Sequence, residues 1–528
     1  MRIEVIMLII YFGVMIVVGI YWNRKAKKSE DFLLGGRQMG PFITALTLQT
    51  TAMSGYMFMG GPAFAYSVGW FALLYAIGDA GGGLVNITVL ARRMRRLSKI
   101  LDAISPIEYL EKRFESTGVK VIAAIIGLFG LSMYILAQFL STGQTLVSLF
   151  GFDLRIGLTI GVAVILIYTF VGGYFAVAYN DMIQGIIMIT ATISIFFLAL
   201  NKVGGLSGLN TKLAEINPTY LSIWGKDLQY QNAWGVIAGA VLIYLIGYMG
   251  LPHCVNKHMA LNSPKDAKAT VVYATFWNQL FIFPPYIVGI MGIVIYGEGL
   301  GSQQAERIIP DLAQQLLPGI VAAIVLCAIM AAIMSTVAAL LLLTGTILSI
   351  DVYKRWLRPA ATDKQVVMVS RLMILFVTIV GLIIAIIRPP GVFALVIFAF
   401  GTLAAGLLPS YVCAVYWKKA NAIGSMVSMV VGSVTDIVWT AANLEGPTKM
   451  HPFFMGLILA SLAMFICSQF GKPTSDEMKD NIERAKGKAR VSPKIEGVMS
   501  KTLVNEGRAV SEHLVAKDYL AQRGFNMA

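Results

Sequence analysis

Thirteen long apolar stretches run through this chain, and each must find lipid or protein on every side. They fall at 4–22, 41–66, 69–91, 119–149, 157–178, 182–200, 234–254, 271–296, 317–350, 370–388, 391–417, 422–442 and 452–471. A membrane-spanning helix needs about 20 mostly apolar residues. Composition agrees, since 57% of the 528 residues are hydrophobic and only 13% charged, where a soluble domain carries roughly 25% charged residues. A cytosolic enzyme, a disordered regulator and a secreted disulfide scaffold are excluded. The expectation is an all-α membrane protein with about 13 transmembrane helices.

The formal net charge is +14, but the basic residues sit between apolar runs, so no nucleic-acid partner is implied. Basic residues favour the cytoplasmic side of a bilayer. With the N-terminus outside, cytoplasmic segments hold 34 of the 42 Lys and Arg and outer segments hold 8, alternating loop by loop. Arg2 alone precedes the first span, and Asn23-Arg24-Lys25-Ala26-Lys27-Lys28 follows it without a small-residue cleavage site. It therefore reads as a retained helix, not a signal peptide. The chain is expected in the plasma (inner) membrane, N-terminus outside and C-terminus cytoplasmic. The polar tail 472–528 is too short for a kinase or nucleotide-binding domain. Cys254, Cys327, Cys413 and Cys467 all lie in apolar runs and read as small buried hydrophobes.

Only three carboxylates fall within spans: Asp79, Asp181 and Asp436. A charge at the bilayer centre costs roughly 3 kcal/mol on insertion scales, so each is a functional candidate. Asp79 lies in Gly78-Asp79-Ala80-Gly81-Gly82-Gly83, where small residues let helices approach closely; either a functional role or a backbone bond fits it. Asp181 follows Asn180 at the start of a span, where a helix-capping role competes with a functional one. Asp436 reads as a structural hydrogen-bonding group, and His253, beside Pro252, as an ordinary hydrogen-bonded histidine.

Two spans carry signs of interruption. Span two reads Gln49-Thr50-Thr51-Ala52-Met53-Ser54-Gly55-Tyr56 and then Gly60-Gly61-Pro62; span seven reads Gly247-Tyr248-Met249-Gly250-Leu251-Pro252-His253. Unpaired backbone survives in a membrane only where it is buried in protein or lines a cavity. The two spans are five apart, so they cross in opposite directions, the pattern of an inverted repeat with a midplane site. In span nine, Ser335 and Thr336 place adjacent hydroxyls in an apolar helix. With backbone carbonyls from an unwound segment they suit a hard cation such as sodium, although back-bonding to the preceding turn would also satisfy them.

These segments resemble the sodium:solute symporter family, which includes bacterial proline and pantothenate symporters and animal sodium/glucose cotransporters. The likeness rests on Leu34-Gly35-Gly36-Arg37-Gln38-Met39-Gly40-Pro41, Met53-Ser54-Gly55, Gly60-Gly61-Pro62, Ala176-Val177-Ala178-Tyr179-Asn180-Asp181-Met182-Ile183-Gln184, Gly250-Leu251-Pro252-His253 and Ala331 to Thr336. It implies a LeuT-like core of two inverted five-helix repeats. The chain would then divide into the first helix and loop (1–40), a ten-helix transport core (41–417), two further helices (418–471) and the cytoplasmic tail (472–528). It implies one coupling sodium ion, held by the carbonyls of Thr50, Met53 and Ala332 and the hydroxyls of Ser335 and Thr336. Asp181 matches the family's aspartate near the inner sodium exit. Val337, Ala338 and Ala339 stand where some members place hydroxyls for a second ion, and Ala52 where the proline branch has an aspartate.

The resemblance further implies a solute pocket lined by Gln49, Ser54, Tyr56, Tyr134, Gln138, Tyr244, Tyr248 and Pro252. No Lys or Arg is among them, and too few polar groups are present for a sugar. The expected activity is sodium-coupled import of a small carboxylate-bearing solute, either a monocarboxylate or pantothenate-like, by alternating access. A sodium/proline symporter is the alternative within the family; a transporter-like sensor or a membrane enzyme would be of another class. No signalling domain and no catalytic constellation supports either of those, and no obligate protein partner is indicated. Partners are the solute, sodium and the lipid bilayer.

Overall fold

The computed structural model describes residues 3–23, 29–387 and 391–487. Basic residues counted at 2, 24–28, 388 and 488–523 lie outside these, as does most of the tail. The described residues are helical almost throughout, with two isolated bridges and no strand. Among the described residues nine helices are long and apolar enough to cross a membrane, and three shorter apolar ones accompany them.

The first half runs α1 (Ile3–Asn23), α2 (Pro41–Ala52), α3 (Gly60–Val68), α4 (Leu73–Asn86) and α5 (Thr117–Phe150). Next come α6 (Leu154–Ile167) and α7 (Tyr174–Val203), two spans within one helical run. The second half has α8 (Trp234–Leu245), α9 (Pro252–Ala260), α10 (Ala267–Phe281), α11 (Phe283–Tyr296) and α12 (Gly319–Thr346). It closes with α13 (Asp363–Ile386), α14 (Val392–Tyr416), α15 (Ala422–Ala441) and α16 (Pro452–Cys467). Local sequence sets many of these ends. Ser116 caps α5, and Gly151, left-handed at φ 69°, stops it. Thr362 and Gln365 form a capping box on α13.

Both expected breaks are present. In span two, α2 ends at Ala52, Met53 and Ser54 are non-helical, and a short helix restarts at Gly55 with Ser54 as its cap. In span seven, α8 gives way to a tight turn at Gly247–Gly250 and an extended Leu251, and Pro252 begins α9. A proline suits a first helical position, where its missing N–H is not needed. Gly60-Gly61-Pro62 behaves differently from the expectation and opens α3 without interrupting it. A Cβ on Gly60 would stand 2.8 Å from the Phe393 backbone nitrogen, so this glycine serves close packing against α14.

Asp181 is also placed differently. The chain is helical without a break from Leu154 to Val203, so no helix starts at Asn180. Asp181 thus lies inside α7, fully buried, and does not cap a helix. Lys257, counted with the loop charges, is likewise buried within α9.

The basic segments meet at one end of the bundle. Arg113 donates to the carbonyls of Ala414 and Trp417, Lys120 pairs with Glu111 and Asp351, and Lys418 pairs with Glu483. Arg37 explains the Leu34–Pro41 motif. Gly35, Gly36 and Arg37 all have positive φ, which turns the chain sharply into α2. The buried Arg37 guanidinium then bonds Glu30, the Ser98 hydroxyl and the carbonyls of Ala103 and Met259.

Small residues let α4 lie against α8. A Cβ on Gly78 would sit 2.0 Å from the Val241 carbonyl oxygen, which is backbone and cannot yield. Gly78→Ala is therefore expected to destabilise the protein by about 1–3 kcal/mol through overpacking. Gly19→Ala, with nothing within 4 Å of the new Cβ, is the control. Thermal unfolding in detergent checks this; equal midpoints for the two variants would refute it.

Candidate functional site

The break in α2 leaves backbone groups without helical partners, and two other helices, α12 and α5, reach in to satisfy them. Ser335 donates to the Thr50 carbonyl at 3.0 Å and Thr336 to the Thr51 carbonyl at 3.0 Å. Both hydroxyls also lie within hydrogen-bond distance of the Ala332 carbonyl, at 3.0 and 3.1 Å. Four of the five proposed sodium ligands therefore meet: Thr50, Ala332, Ser335 and Thr336. Met53 forms the break itself, with its amide bonded to the Gln49 carbonyl. The Thr51 carbonyl, not singled out from sequence, joins the group; nothing in its side chain signals the role of its backbone oxygen. These oxygens are neutral, hard donors of the kind a sodium ion takes.

On the other side of the break, the Gln138 amide closes a small network. Its Oε1 accepts from the Gly55 amide at 2.8 Å, and its Nε2 donates to Ser54 Oγ at 3.1 Å. The Ser54 hydroxyl also accepts from the Tyr56 amide at 3.3 Å. Beyond this network lies an aromatic cluster. Tyr56 and Tyr244 stack at 5.6 Å, Tyr244 and Tyr248 lie 6.0 Å apart, and Tyr134 is 5.7 Å from the His253 ring. Phe400 of α14 packs edge-on against Tyr134, Tyr244 and Tyr248. It sits in an unbroken apolar run and carries no local signal, so sequence reasoning missed it.

Asp79 lies at the centre. Its carboxylate accepts from Tyr56 at 2.7 Å and from Tyr248 at 2.6 Å, one phenol from each broken span. It is 1% exposed, and among the described residues no cation forms an ion pair with it. The Asn278 amide holds the Asp79 carbonyl at 2.7 Å. The glycines around Asp79 let the tyrosine ring approach, since a Cβ on Gly82 would meet Tyr248 at 2.6 Å. Gln49 points elsewhere, donating to the Ala274 carbonyl at 3.2 Å, and Pro252 begins α9 below the cluster. Asp436 accepts from Thr402 at 2.9 Å, away from this site, in the structural part the sequence suggested.

A third group lies one turn along α2 toward the basic end. Thr47 donates to Asp181, and Lys257 donates to Thr47 at 2.7 Å while standing 3.6 Å from the Asp181 carboxylate. A Cβ on Gly185, one turn beyond Asp181, would meet the Thr50 methyl at 2.9 Å. Asp181 therefore sits directly beside the carbonyl-and-hydroxyl group.

Two interrupted helices, a central aromatic site and a carbonyl–hydroxyl group beside it define a multi-pass secondary transporter. The model of the sodium:solute symporter family matches residues 32–432; the chain belongs to this family of sodium-coupled transporters, which are not enzymes. It is 30% identical over 477 residues to an osmoregulated proline transporter of Bacillus subtilis, covering 89% of this chain and 96% of that one. It is also 30% identical over 480 residues to a sodium/proline symporter of Staphylococcus aureus, covering 88% and 92%. Among solved structures, a Na+-coupled sialic acid symporter aligns with a TM-score of 0.72 at 22% identity over 90% of this chain and 99% of that one. A nucleobase-cation-symport-1 transporter aligns at 0.55 and 16% identity, covering 86% and 98%. Those two likenesses show the LeuT-like fold. The two relatives by sequence carry the proline name that the sequence reading placed second.

If the carbonyl–hydroxyl group holds sodium, Ser335→Ala and Thr336→Ala should each raise the sodium concentration for half-maximal uptake by about tenfold, the equivalent of 1.4 kcal/mol. Each variant also leaves one break carbonyl without its side-chain partner, so the sodium dependence is read on protein shown to be folded. Unaltered sodium dependence in both variants would remove the assignment.

Proposed function

We propose that this transporter imports a small zwitterionic solute, a carboxylate that also carries an ammonium or imino group, together with one sodium ion. The observation that carries the reading is Asp79, a buried carboxylate shared by Tyr56 and Tyr248 with no ion-pair cation beside it among the described residues. A buried charge left uncompensated costs several kcal/mol. The positive group of a zwitterion supplies the compensation, and a simple anion would add a second negative charge. The solute carboxylate would replace the Gln138 amide oxygen as acceptor of the Gly55 N–H and meet the Ser54 hydroxyl at the break. The apolar body would lie against Tyr134, Tyr244 and Phe400. The proline names of relatives at 30% identity make proline the first solute to test.

In this reading Thr50, Met53, Ala332, Ser335 and Thr336 ligate sodium, and Asp181 attracts it as it leaves. The basic end faces the cytoplasm, the N-terminus lies outside, and residues 41–417 form the transport core. A monocarboxylate or pantothenate-like solute is the second reading. It is favoured by Ala52, which stands where the proline branch resembled in sequence has an aspartate.

Uptake of labelled proline into proteoliposomes, with and without an inward sodium gradient, tests the class. Small zwitterions should compete and lactate should not. Asp79→Asn should weaken proline binding by about tenfold or more, matching the loss of a charge-assisted bond of 1.5–3 kcal/mol. Tyr248→Phe should cost about 1 kcal/mol. Competition by lactate or pantothenate with Asp79→Asn silent would favour the second reading, and competition by glucose alone would overturn both.

A further inference from the structure

The Lys257–Asp181 pair is unexpected on the path from a sodium site, because it places a fixed cation where a mobile one must pass. Lys257 is 2% exposed and Asp181 fully buried. The ammonium donates to Thr47 at 2.7 Å, stands 3.6 Å from the Asp181 carboxylate and lies 5.1 Å from the centre of the Tyr174 ring. Thr47 in turn donates to the same carboxylate oxygen. One turn further along α2 are Thr50 and Thr51, whose carbonyls meet Ser335 and Thr336. Lys257 lines a cavity of about 10 Å³ together with His253, Asn256 and Tyr174, roughly the size of one water probe. Both ring nitrogens of His253 are buried there without a hydrogen-bond partner.

We propose that Lys257 is a tethered cation that competes with sodium for Asp181. One carboxylate neutralises one monovalent cation, and two cations within a few ångströms of each other repel. Sodium leaving its ligands toward the basic end displaces the ammonium from Asp181 into the adjoining cavity. Once sodium has left, the ammonium returns, so the empty carrier holds no bare carboxylate to recapture the ion. Lys257 is a positioning residue that acts through Asp181, not a sodium ligand. The inference rests on the assignment of the sodium site above and on no assumption about the solute.

Equilibrium binding and dissociation of radioactive sodium, measured on the purified full-length protein, test it. Lys257→Gln should bind sodium about fivefold more tightly or better and release it more slowly, a coupling of ordinary size between two sites. Lys257→Arg should resemble the parent. Asp181→Asn should weaken binding, because the lysine is left unpaired near the site, and Asp181→Asn with Lys257→Gln should restore it. That last comparison stands even if Lys257→Gln alone does not fold. Equal sodium affinity and release in all variants, with only lowered thermal stability, would mean that the pair is purely structural and would overturn the proposal. Ser335→Ala separates the two possible failures. If it weakens sodium binding while the Lys257 variants do not, only this inference falls; if it has no effect, the sodium site itself is misplaced.

Discussion

A backbone group without a partner costs several kcal/mol in a lipid environment, and the break at Met53–Ser54 exposes several of them in mid-span. The protein answers with side chains from separate helices. Gln138 of α5 takes the Gly55 amide, while Ser335 and Thr336 of α12 take the carbonyls of Thr50 and Thr51. This requirement ties α2, α5 and α12 together and fixes where the core must be polar. It also concentrates oxygen donors at one point, which is the chemistry that a small hard cation uses. The same repair that makes a broken helix tolerable therefore creates the conditions for coupling.

Charge is handled with similar economy. Asp181 faces Lys257, and Asp351 faces Lys120, which also pairs with Glu111. Removing one partner of such a buried pair typically costs about 3–5 kcal/mol, because the other charge is left uncompensated. Against this pattern Asp79 stands out, with two phenols and, among the described residues, no cation. Its position between the two interrupted spans makes it the natural point at which a solute would be sensed by both halves of the core.

The sequence made the framework legible because its signals are local. Apolar run length marks spans, loop charges mark their ends, and glycine and proline mark the breaks at 53–54 and 247–252. The Ser335–Thr336 pair was visible for the same reason. What escaped was set by contacts between distant segments. A capping role competed with a functional one for Asp181 because nothing local shows that the helix runs unbroken through Asn180, and its partner Lys257 looked like one more loop charge. Phe400 was one aromatic in an apolar run. Gly60-Gly61-Pro62 looked like a break, whereas its glycines make space for Phe393 and Tyr286. Asp79 was seen as a candidate, but its position between Tyr56 and Tyr248 is set by three separate segments and is not written in any one of them.

Arg37 carries a mechanical consequence. One guanidinium joins the turn that leads into α2, the Ala103 loop and the last residues of α9 through Met259. It thereby staples together the basic-end halves of both broken spans. These bonds are charge-assisted and share a single rigid, planar donor, so a displacement of the guanidinium strains all of them at once. Any separation at that end would have to work against this set of bonds as a latch, with a threshold. The three consecutive left-handed residues at 35–37 hold the latch at its fixed angle.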